Sequence, residues 1–118
     1  MTALDVTIRR TATGATVDLT GDVDGGARAT LDAAYVEAAP EGGSELLLNF
    51  GGVGYINSTG IALIVGILAR ARAEHVRIGA CALSDHYREI FEITRLSDFM
   101  AIYPDEASAL VGEQRSEA

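Results

Sequence analysis

The feature that most constrains the fold is an uninterrupted apolar run, Leu46–Leu48, near the middle of the chain. A strand with one solvated face alternates apolar and polar residues, whereas a continuous apolar run is typical of a strand buried on both faces. A chain of 118 residues is long enough for one hydrophobic core and leaves no room for a second domain of ordinary size. We therefore expect a single domain in which helices cover a sheet that has this strand at its centre.

Strand and helix patterns alternate along the rest of the chain. The first two segments alternate apolar and polar residues on either side of a Thr-Gly turn, which predicts an antiparallel pair. Each later strand follows a helical segment, and such a crossover returns a strand parallel to the one before it. The predicted elements are strands over 4–9, 15–20, 44–50, 75–82 and 99–103 and helices over 24–38, 57–73, 84–94 and from 104 onward.

This β-β-α-β-α-β-α-β-α order predicts an α/β domain with a mixed, mostly parallel β-sheet covered by helices. The segment 51–56, between the central strand and the next helix, is rich in glycine and is predicted to be a loop. We expect the folded domain to span residues 1–112 and a polar C-terminal tail to span 113–118.

Charge and hydropathy exclude several classes of function. The formal net charge is −8 and all nine basic residues are arginines scattered along the chain, so no basic stripe could neutralise the phosphates of nucleic acid or of anionic lipid. The longest apolar stretch, Ile61–Ala69, is about half the ~18 residues that a membrane span needs. The N-terminus lacks the basic start and apolar core of a secretory signal. We expect a cytoplasmic protein that binds neither nucleic acid nor membrane.

The sequence shows no pattern that would hold a metal or a cofactor. Cys81 lies in an apolar segment, where a lone thiol is usually a small buried hydrophobe. No group of His, Cys, Asp or Glu has metal-ligand spacing. Gly51–Gly54 precede a helix, as in phosphate-binding loops, but no Lys-Ser or Lys-Thr pair follows, so a tight turn is the simpler interpretation. We therefore expect no cofactor and no metal.

The candidate site is the start of the most apolar helix, Asn57–Gly60, which carries the hydroxyl groups of Ser58 and Thr59. In the simplest interpretation, Asn57 or Ser58 is an N-cap whose side chain accepts a backbone hydrogen bond worth about 1 kcal/mol. In that case the residue type is explained by helix stability and needs no further function.

A different interpretation makes Ser58 the nucleophile of a small hydrolase. A strand, a turn and a helix also expose the serine of the G-x-S-x-G motif. Here Ile56 stands where the first glycine of that motif should be, and no pattern marks His75 or His86 as the general base. The hydrolase is therefore the weakest of the alternatives.

The segment Leu46–Ile61 resembles the signature of STAS domains, the family of bacterial anti-sigma factor antagonists. That signature is an apolar strand, an Asp-x-x-x-Val-x-x-Ile/Met loop, and then Asp-Ser-Ser/Thr-Gly before an apolar helix. Two further segments are similar to the family: Thr20–Asp24 resembles its Gly-Glu-Leu-Asp segment, and residues 82–96 resemble its third-helix region. The resemblance covers about residues 4–111.

In that family, the first serine of the motif, here Ser58, is phosphorylated by an anti-sigma factor that is also a serine kinase. The unphosphorylated antagonist captures the anti-sigma factor and frees a sigma factor, and a serine phosphatase restores the active form. The resemblance implies that Ser58 is the phosphoacceptor, with Thr59 as the weaker candidate, and that this chain is a substrate and not an enzyme. It also implies a monomer or weak homodimer whose partner-binding surface includes Asp24, Asn57, Ser58, Thr59 and Gly60.

Two residues depart from the family pattern. Asn57 replaces the usual Asp before the serine, and Asn49 replaces the Asp that ends the central strand. A kinase or anti-sigma factor that reads a carboxylate at position 57 would bind this variant weakly or not at all. The alternative hypothesis is therefore a STAS scaffold or sensor module that is not phosphorylated and that assembles signalling complexes or binds a small apolar ligand.

Overall fold

The computed structural model describes residues 2–11, 14–39 and 45–115, with the backbone alone described over 111–115. The strands are β1 (Asp5–Arg10), β2 (Gly14–Val23), β3 (Glu45–Ile56), β4 (Arg77–Cys81) and β5 (Ala101–Tyr103). The helices are α1 (Arg28–Ala38), α2 (Ser58–Ala73), α3 (Asp85–Ile93) and α4 (Glu106–Arg115). The predicted order of elements and the α/β class are confirmed.

The five strands form one sheet in the order β1-β2-β3-β4-β5. β1 pairs with β2 in antiparallel orientation, and all other neighbours are parallel. Parallel neighbours need a crossover connection, which α1, α2 and α3 supply. The helices α1 and α2 follow the carboxyl ends of the neighbouring parallel strands β2 and β3. Their N-termini therefore lie side by side at one edge of the sheet.

The central strand β3 is buried on both faces over its apolar half, as predicted. Leu46 and Leu48 belong to the main hydrophobic core, with side chains from α1, α2 and α3. Leu47 belongs to a second cluster, with Cys81 and with Ala109 of α4. Burial raises the pKa of the Cys81 thiol to about 11, so the thiol is protonated at neutral pH. Cys81 is therefore a core residue.

The helix that begins at the candidate site, α2, is apolar on several sides and carries Arg70 and Arg72 in its last turn. Cations at that position complement the negative end of the helix dipole. Its 16 residues make it the longest helix in the described part of the chain. Across the described ranges, no helix is both long and apolar enough to cross a membrane.

The prediction of a loop over 51–56 is wrong, because this segment is the second half of β3. Residues from Gly52 to Ile56 continue the parallel pairing with β2 through two register shifts. The pairing with β4 stops at Asn49, so this half of β3 has one strand neighbour and is largely exposed. Side chains at such exposed positions pack against few neighbours, so apolar residues are not required there. The segment therefore has the composition of a loop although it is a strand.

Several other element ends also differ from the predictions, among them the end of β2 at Val23 and the start of α1 at Arg28. β4 begins at Arg77 and not at 75, since His75 has a φ of 60° and lies in the left-handed region. β5 begins at Ala101, because residues 96–98 form a 3₁₀ turn. α4 is described as far as Arg115, and the boundary between domain and tail at residue 112 stays a prediction.

Arg9 joins the last helix to the sheet. Its guanidinium donates to the carboxylate of Asp18 on β2 at 2.6 and 2.9 Å, and to Glu106 on α4 at 2.7 and 3.0 Å. The hydrogen bonds from Arg9 hold the pKa of the Asp18 carboxyl below its usual value. One cation on an edge strand therefore fixes the position of α4 on the second face of the sheet.

We expect Arg9→Gln to lower the free energy of unfolding at pH 7 by about 1 kcal/mol, because the ion pairs are partly exposed. The folded-state pKa of Asp18 lies below its unfolded value, so its ion pair stabilises the fold above a pH of about 4 and is lost as the pH falls further. Urea unfolding between pH 7 and pH 3 should show the difference between wild type and variant shrinking. A difference that is constant over this range would contradict the role of Arg9.

Candidate functional site

Asn57 is the N-cap of α2. Its side-chain Oδ1 accepts a hydrogen bond from the N–H of Gly60 at 2.8 Å. Its own N–H donates to the carbonyl oxygen of Val23, at the end of β2, at 3.2 Å. The cap therefore belongs to Asn57 and not to Ser58, a choice that the sequence left open. These two bonds fix the first turn of α2 on the sheet.

Ser58 is the first residue of α2, and its side chain is exposed. Within the described part of the chain, its hydroxyl has no hydrogen-bond partner. Thr59 is also exposed, but it faces the turn before α1: a Cβ added at Gly25 would lie 3.4 Å from the Thr59 Cγ2. Both hydroxyl groups are accessible, and that of Ser58 is free of any role in capping the helix.

We expect Ser58→Ala to change the free energy of unfolding by less than about 0.5 kcal/mol, because the hydroxyl makes no bond within the domain. Asn57→Ala removes the cap and should cost about 1 kcal/mol. Asn57→Asp keeps the cap oxygen and adds a negative charge at the helix N-terminus, so its stability should match or slightly exceed that of the wild type. Thermal unfolding of the three variants side by side checks this order. Equal losses for the two alanine variants would contradict the assignment of the cap.

Gly60 brings α2 close to β2. It is buried, and a Cβ at this position would lie 1.9 Å from the carbonyl oxygen of Val23. Only glycine allows this approach of two backbones. Gly60 therefore shapes the surface through the position of α2, and it offers no side chain to a partner.

Asp24 stabilises the turn beside the site. Its Oδ1 accepts a hydrogen bond from the N–H of Gly26 at 2.9 Å and caps a 3₁₀ turn, Gly25–Ala27, which continues into α1. Gly25 in this turn lies next to Thr59. The structure thus brings the turn capped by Asp24 and the segment Asn57–Gly60 together at the carboxyl edge of the sheet.

Three residues that are not among the predicted site residues border the site. Tyr55, near the end of β3, is 50% exposed. The Tyr87 hydroxyl, on α3, accepts a hydrogen bond from the N–H of Ile56 at 3.0 Å and so supports the backbone just before the cap. Arg28, the first residue of α1, lines a groove of about 260 Å³ between α1 and α2 together with Thr59. Tyr55 lies within the signature segment Leu46–Ile61, whereas Arg28 and Tyr87 lie outside it, and only the folded structure brings those two residues to this edge of the sheet.

The electrostatics of the site favour an anion on Ser58. The first turn of α2 carries no acidic residue, so no carboxylate of this turn offsets its backbone N–H groups and the positive end of the helix dipole. Arg28, at the neighbouring helix N-terminus, has no ion-pair partner in the described ranges. A phosphate here adds about −1.5 to −2 charges. The domain itself would tolerate that charge at the start of α2.

The hydrogen bonds of Asn49 explain why this chain departs from the family pattern at position 49. Its Nδ2 donates to the Asp18 carboxylate at 3.0 Å, and its Oδ1 accepts from the N–H of Gly51 at 2.9 Å. An aspartate here would face Asp18 with a second negative charge and would lose the donor. The amide is therefore suited to this chain, in which Arg9 already holds Asp18.

The arrangement around Ser58 does not support the hydrolase alternative. A nucleophilic serine needs a base within hydrogen-bond distance. In the described residues no hydrogen bond joins Ser58 to His75 or His86, and both histidines are exposed at the ends of other elements. The described residues also contain no group of three or more His, Cys, Asp or Glu side chains that could hold a metal ion.

Residues 6–104 match the protein family described as the Mlab STAS domain. The chain belongs to the STAS domain family. The matched region runs from β1 to the end of β5 and includes the whole of the candidate site. The family that the residues from Leu46 to Ile61 resemble is therefore confirmed.

Individual STAS proteins are similar to this chain in sequence and in fold. BtrV of Bordetella bronchiseptica, a proposed anti-sigma factor antagonist, is 29% identical over 86 residues, which cover 73% of this chain and 72% of BtrV. An anti-sigma factor antagonist from Mycobacterium paratuberculosis superposes with a TM-score of 0.74 at 17% identity over 93% of both chains. The phosphorylated form of the Bacillus cell fate determinant SpoIIAA superposes with a TM-score of 0.62 at 21% identity, over 91% of this chain and 96% of SpoIIAA. The two structures show a shared fold.

Proposed function

We propose that this STAS domain is an anti-sigma factor antagonist. In this proposal it captures an anti-sigma factor through the surface formed by the turn at Asp24 and the start of α2 at Asn57–Gly60. The observation that carries the proposal is the exposed hydroxyl of Ser58, which stands at the tip of α2 while Asn57 caps the helix. The similarity to BtrV, and the fold shared with the antagonist from Mycobacterium paratuberculosis, support the same class of partner.

The proposed control is phosphorylation of Ser58 by an anti-sigma factor with serine kinase activity, reversed by a serine phosphatase. A phosphate at Ser58 would stand in the middle of the docking surface of a protein whose net charge is already −8. A buried charge without a partner costs an interface about 2–5 kcal/mol, which corresponds to about 30-fold to several thousandfold in affinity. Phosphorylation would therefore release the anti-sigma factor without unfolding the domain. In this mechanism the chain is a substrate, and the catalytic groups belong to its partner.

The direct test incubates the protein with its cognate anti-sigma kinase and ATP and maps the phosphate by mass spectrometry. We expect modification at Ser58 that disappears in Ser58→Ala and persists in Thr59→Val. In calorimetric titrations, phosphoserine incorporated at position 58 should weaken binding of the anti-sigma factor by at least about 100-fold. Ser58→Ala should weaken binding by no more than about tenfold, the net worth of one neutral hydrogen bond between the hydroxyl and the partner.

Two outcomes would contradict the proposal in different ways. Capture of the anti-sigma factor that is equally strong with serine, alanine and phosphoserine at position 58 would remove the switch and leave a constitutive scaffold. Phosphate found on Thr59 alone would move the acceptor to the groove between α1 and α2. Asn57→Asp gives a third comparison: a gain in phosphorylation rate in this variant would show that the kinase reads a carboxylate before the acceptor.

A further inference from the structure

A large groove opens between the C-terminal half of α2 and the segment that joins α3 to β5. Its volume is about 1090 Å³, slightly above the usual range for small-molecule sites, roughly 300–1,000 Å³. No residue of the segment Asn57–Gly60 lines it. The groove is therefore separate from the surface on which the proposed function depends.

The inner lining of the groove is apolar. The lining includes Leu46, Leu68 and Ile78, which are buried side chains of the main core. Two large apolar side chains stand on its walls and remain exposed: Val65 of α2 at 46% and Phe99 before β5 at 58%. Apolar side chains exposed along a concave surface gain free energy when an apolar ligand displaces water from them.

The rim of the groove carries one uncompensated positive charge. Among the lining residues, Arg77 forms an ion pair with Glu45, and Asp98 pairs with Arg95 at 3.0 Å. Arg72, in the last turn of α2, also lines the groove and has no ion-pair partner among the residues that the structure describes. A ligand with an apolar chain and a single negative head group would satisfy both features.

We infer that this groove binds a free long-chain fatty acid, with the acyl chain between Val65 and Phe99 and the carboxylate at Arg72. A carboxylate can accept two hydrogen bonds from one guanidinium, and the apolar floor suits a chain without polar groups. A second copy of the protein is a poorer occupant, since two chains with a net charge of −8 repel each other.

The test titrates delipidated protein with dodecanoate, kept below its micelle concentration, and follows backbone amide shifts by NMR. We expect saturable one-to-one binding with the largest shifts over 76–79 and 99–101. The affinity should rise by about two- to fourfold for each methylene added from decanoate to tetradecanoate, as burial of the chain predicts. Shifts centred on Asn57–Gly60, or shifts that do not saturate, would overturn the inference.

Matched variants separate the proposed contacts from general effects. Arg72→Gln should weaken dodecanoate binding by about fivefold, whereas Arg28→Gln, which removes another arginine without an ion-pair partner, should leave it unchanged. Val65→Glu should abolish binding, whereas Val36→Glu, at a more exposed position on α1 outside the groove, should not. Equal effects within either pair would overturn the inference.

A vesicle assay distinguishes the free acid from a membrane lipid. Co-sedimentation with phosphatidylglycerol vesicles, in the absence of dodecanoate binding, would assign the groove to a lipid head group and overturn the inference. These tests use no anti-sigma factor, so they can fail while the proposed function stands, and the reverse also holds.

Discussion

Replacing Gly60 with alanine is expected to destabilise the domain by about 3 kcal/mol or more, the upper range for added atoms in a packed site. The new Cβ would lie 1.9 Å from the carbonyl oxygen of Val23 and 2.7 Å from its carbonyl carbon. Both of these atoms belong to the backbone of Val23 at the end of β2, so no side chain can rotate away to make room for the new Cβ. The first turn of α2 would have to move off β2, and the hydrogen bond from Asn57 to Val23 would be lost with it.

The same helix provides the control for this prediction. Gly66 is exposed in the middle of α2, and a Cβ there would meet no atom within 4 Å. Gly66→Ala should therefore stabilise the domain by about 0.5–1 kcal/mol, because alanine is the better helix former. Chemical unfolding of both variants measures the contrast. A similar change in the two variants would show that helix propensity, and not the contact with Val23, decides the effect at position 60.

Replacing Phe91 with alanine is expected to lower the free energy of unfolding by about 3–5 kcal/mol, the second large effect that we expect. Phe91 is the one fully buried side chain of α3. Its ring meets that of Phe50 edge to face, with the ring centroids 5.8 Å apart. Without it α3 keeps little apolar contact with the core, so the helix should detach or the domain should unfold.

Ile93 lies two residues along the same helix and is 72% exposed. Ile93→Ala should change stability by less than about 0.5 kcal/mol, as for other surface positions. If Phe91→Ala detaches α3 without unfolding the sheet, hydrogen exchange will speed up across Asp85–Ile93 while the amides of β3 remain protected. Unchanged stability in Phe91→Ala would contradict the assignment of Phe91 as the anchor of α3.

Much of the fold could be predicted because its signals are local. The apolar run Leu46–Leu48 predicted a strand buried on both faces, and its alternating side chains do enter two separate clusters. Residues with short polar side chains predicted the helix starts, and Ser84 caps α3 by accepting from the N–H of Tyr87 at 3.3 Å. These features depend on residues within a few positions of one another, which a pattern in the sequence records.

The second half of β3 could not be predicted for the opposite reason. Its residues pair with β2, which lies some thirty residues earlier in the chain, and the pairing uses backbone groups that every residue carries. Gly52 and Gly54 therefore lie in a strand, although glycine in a sequence usually indicates a turn. The contact of Tyr87 with Ile56 is equally remote, since the two residues are 31 positions apart.

The sequence by itself determined the family, the order of strands and helices, and the presence of two hydroxyl groups at the start of the most apolar helix. Only the tertiary structure decided that Asn57 caps that helix and that Ser58 is exposed and unbonded. It also decided that Gly60 is held against Val23 and that Arg9 links β2 to α4. The physical reason is that propensity and capping act within one helical turn, whereas the exposure of a side chain depends on which distant segments the sheet brings beside it.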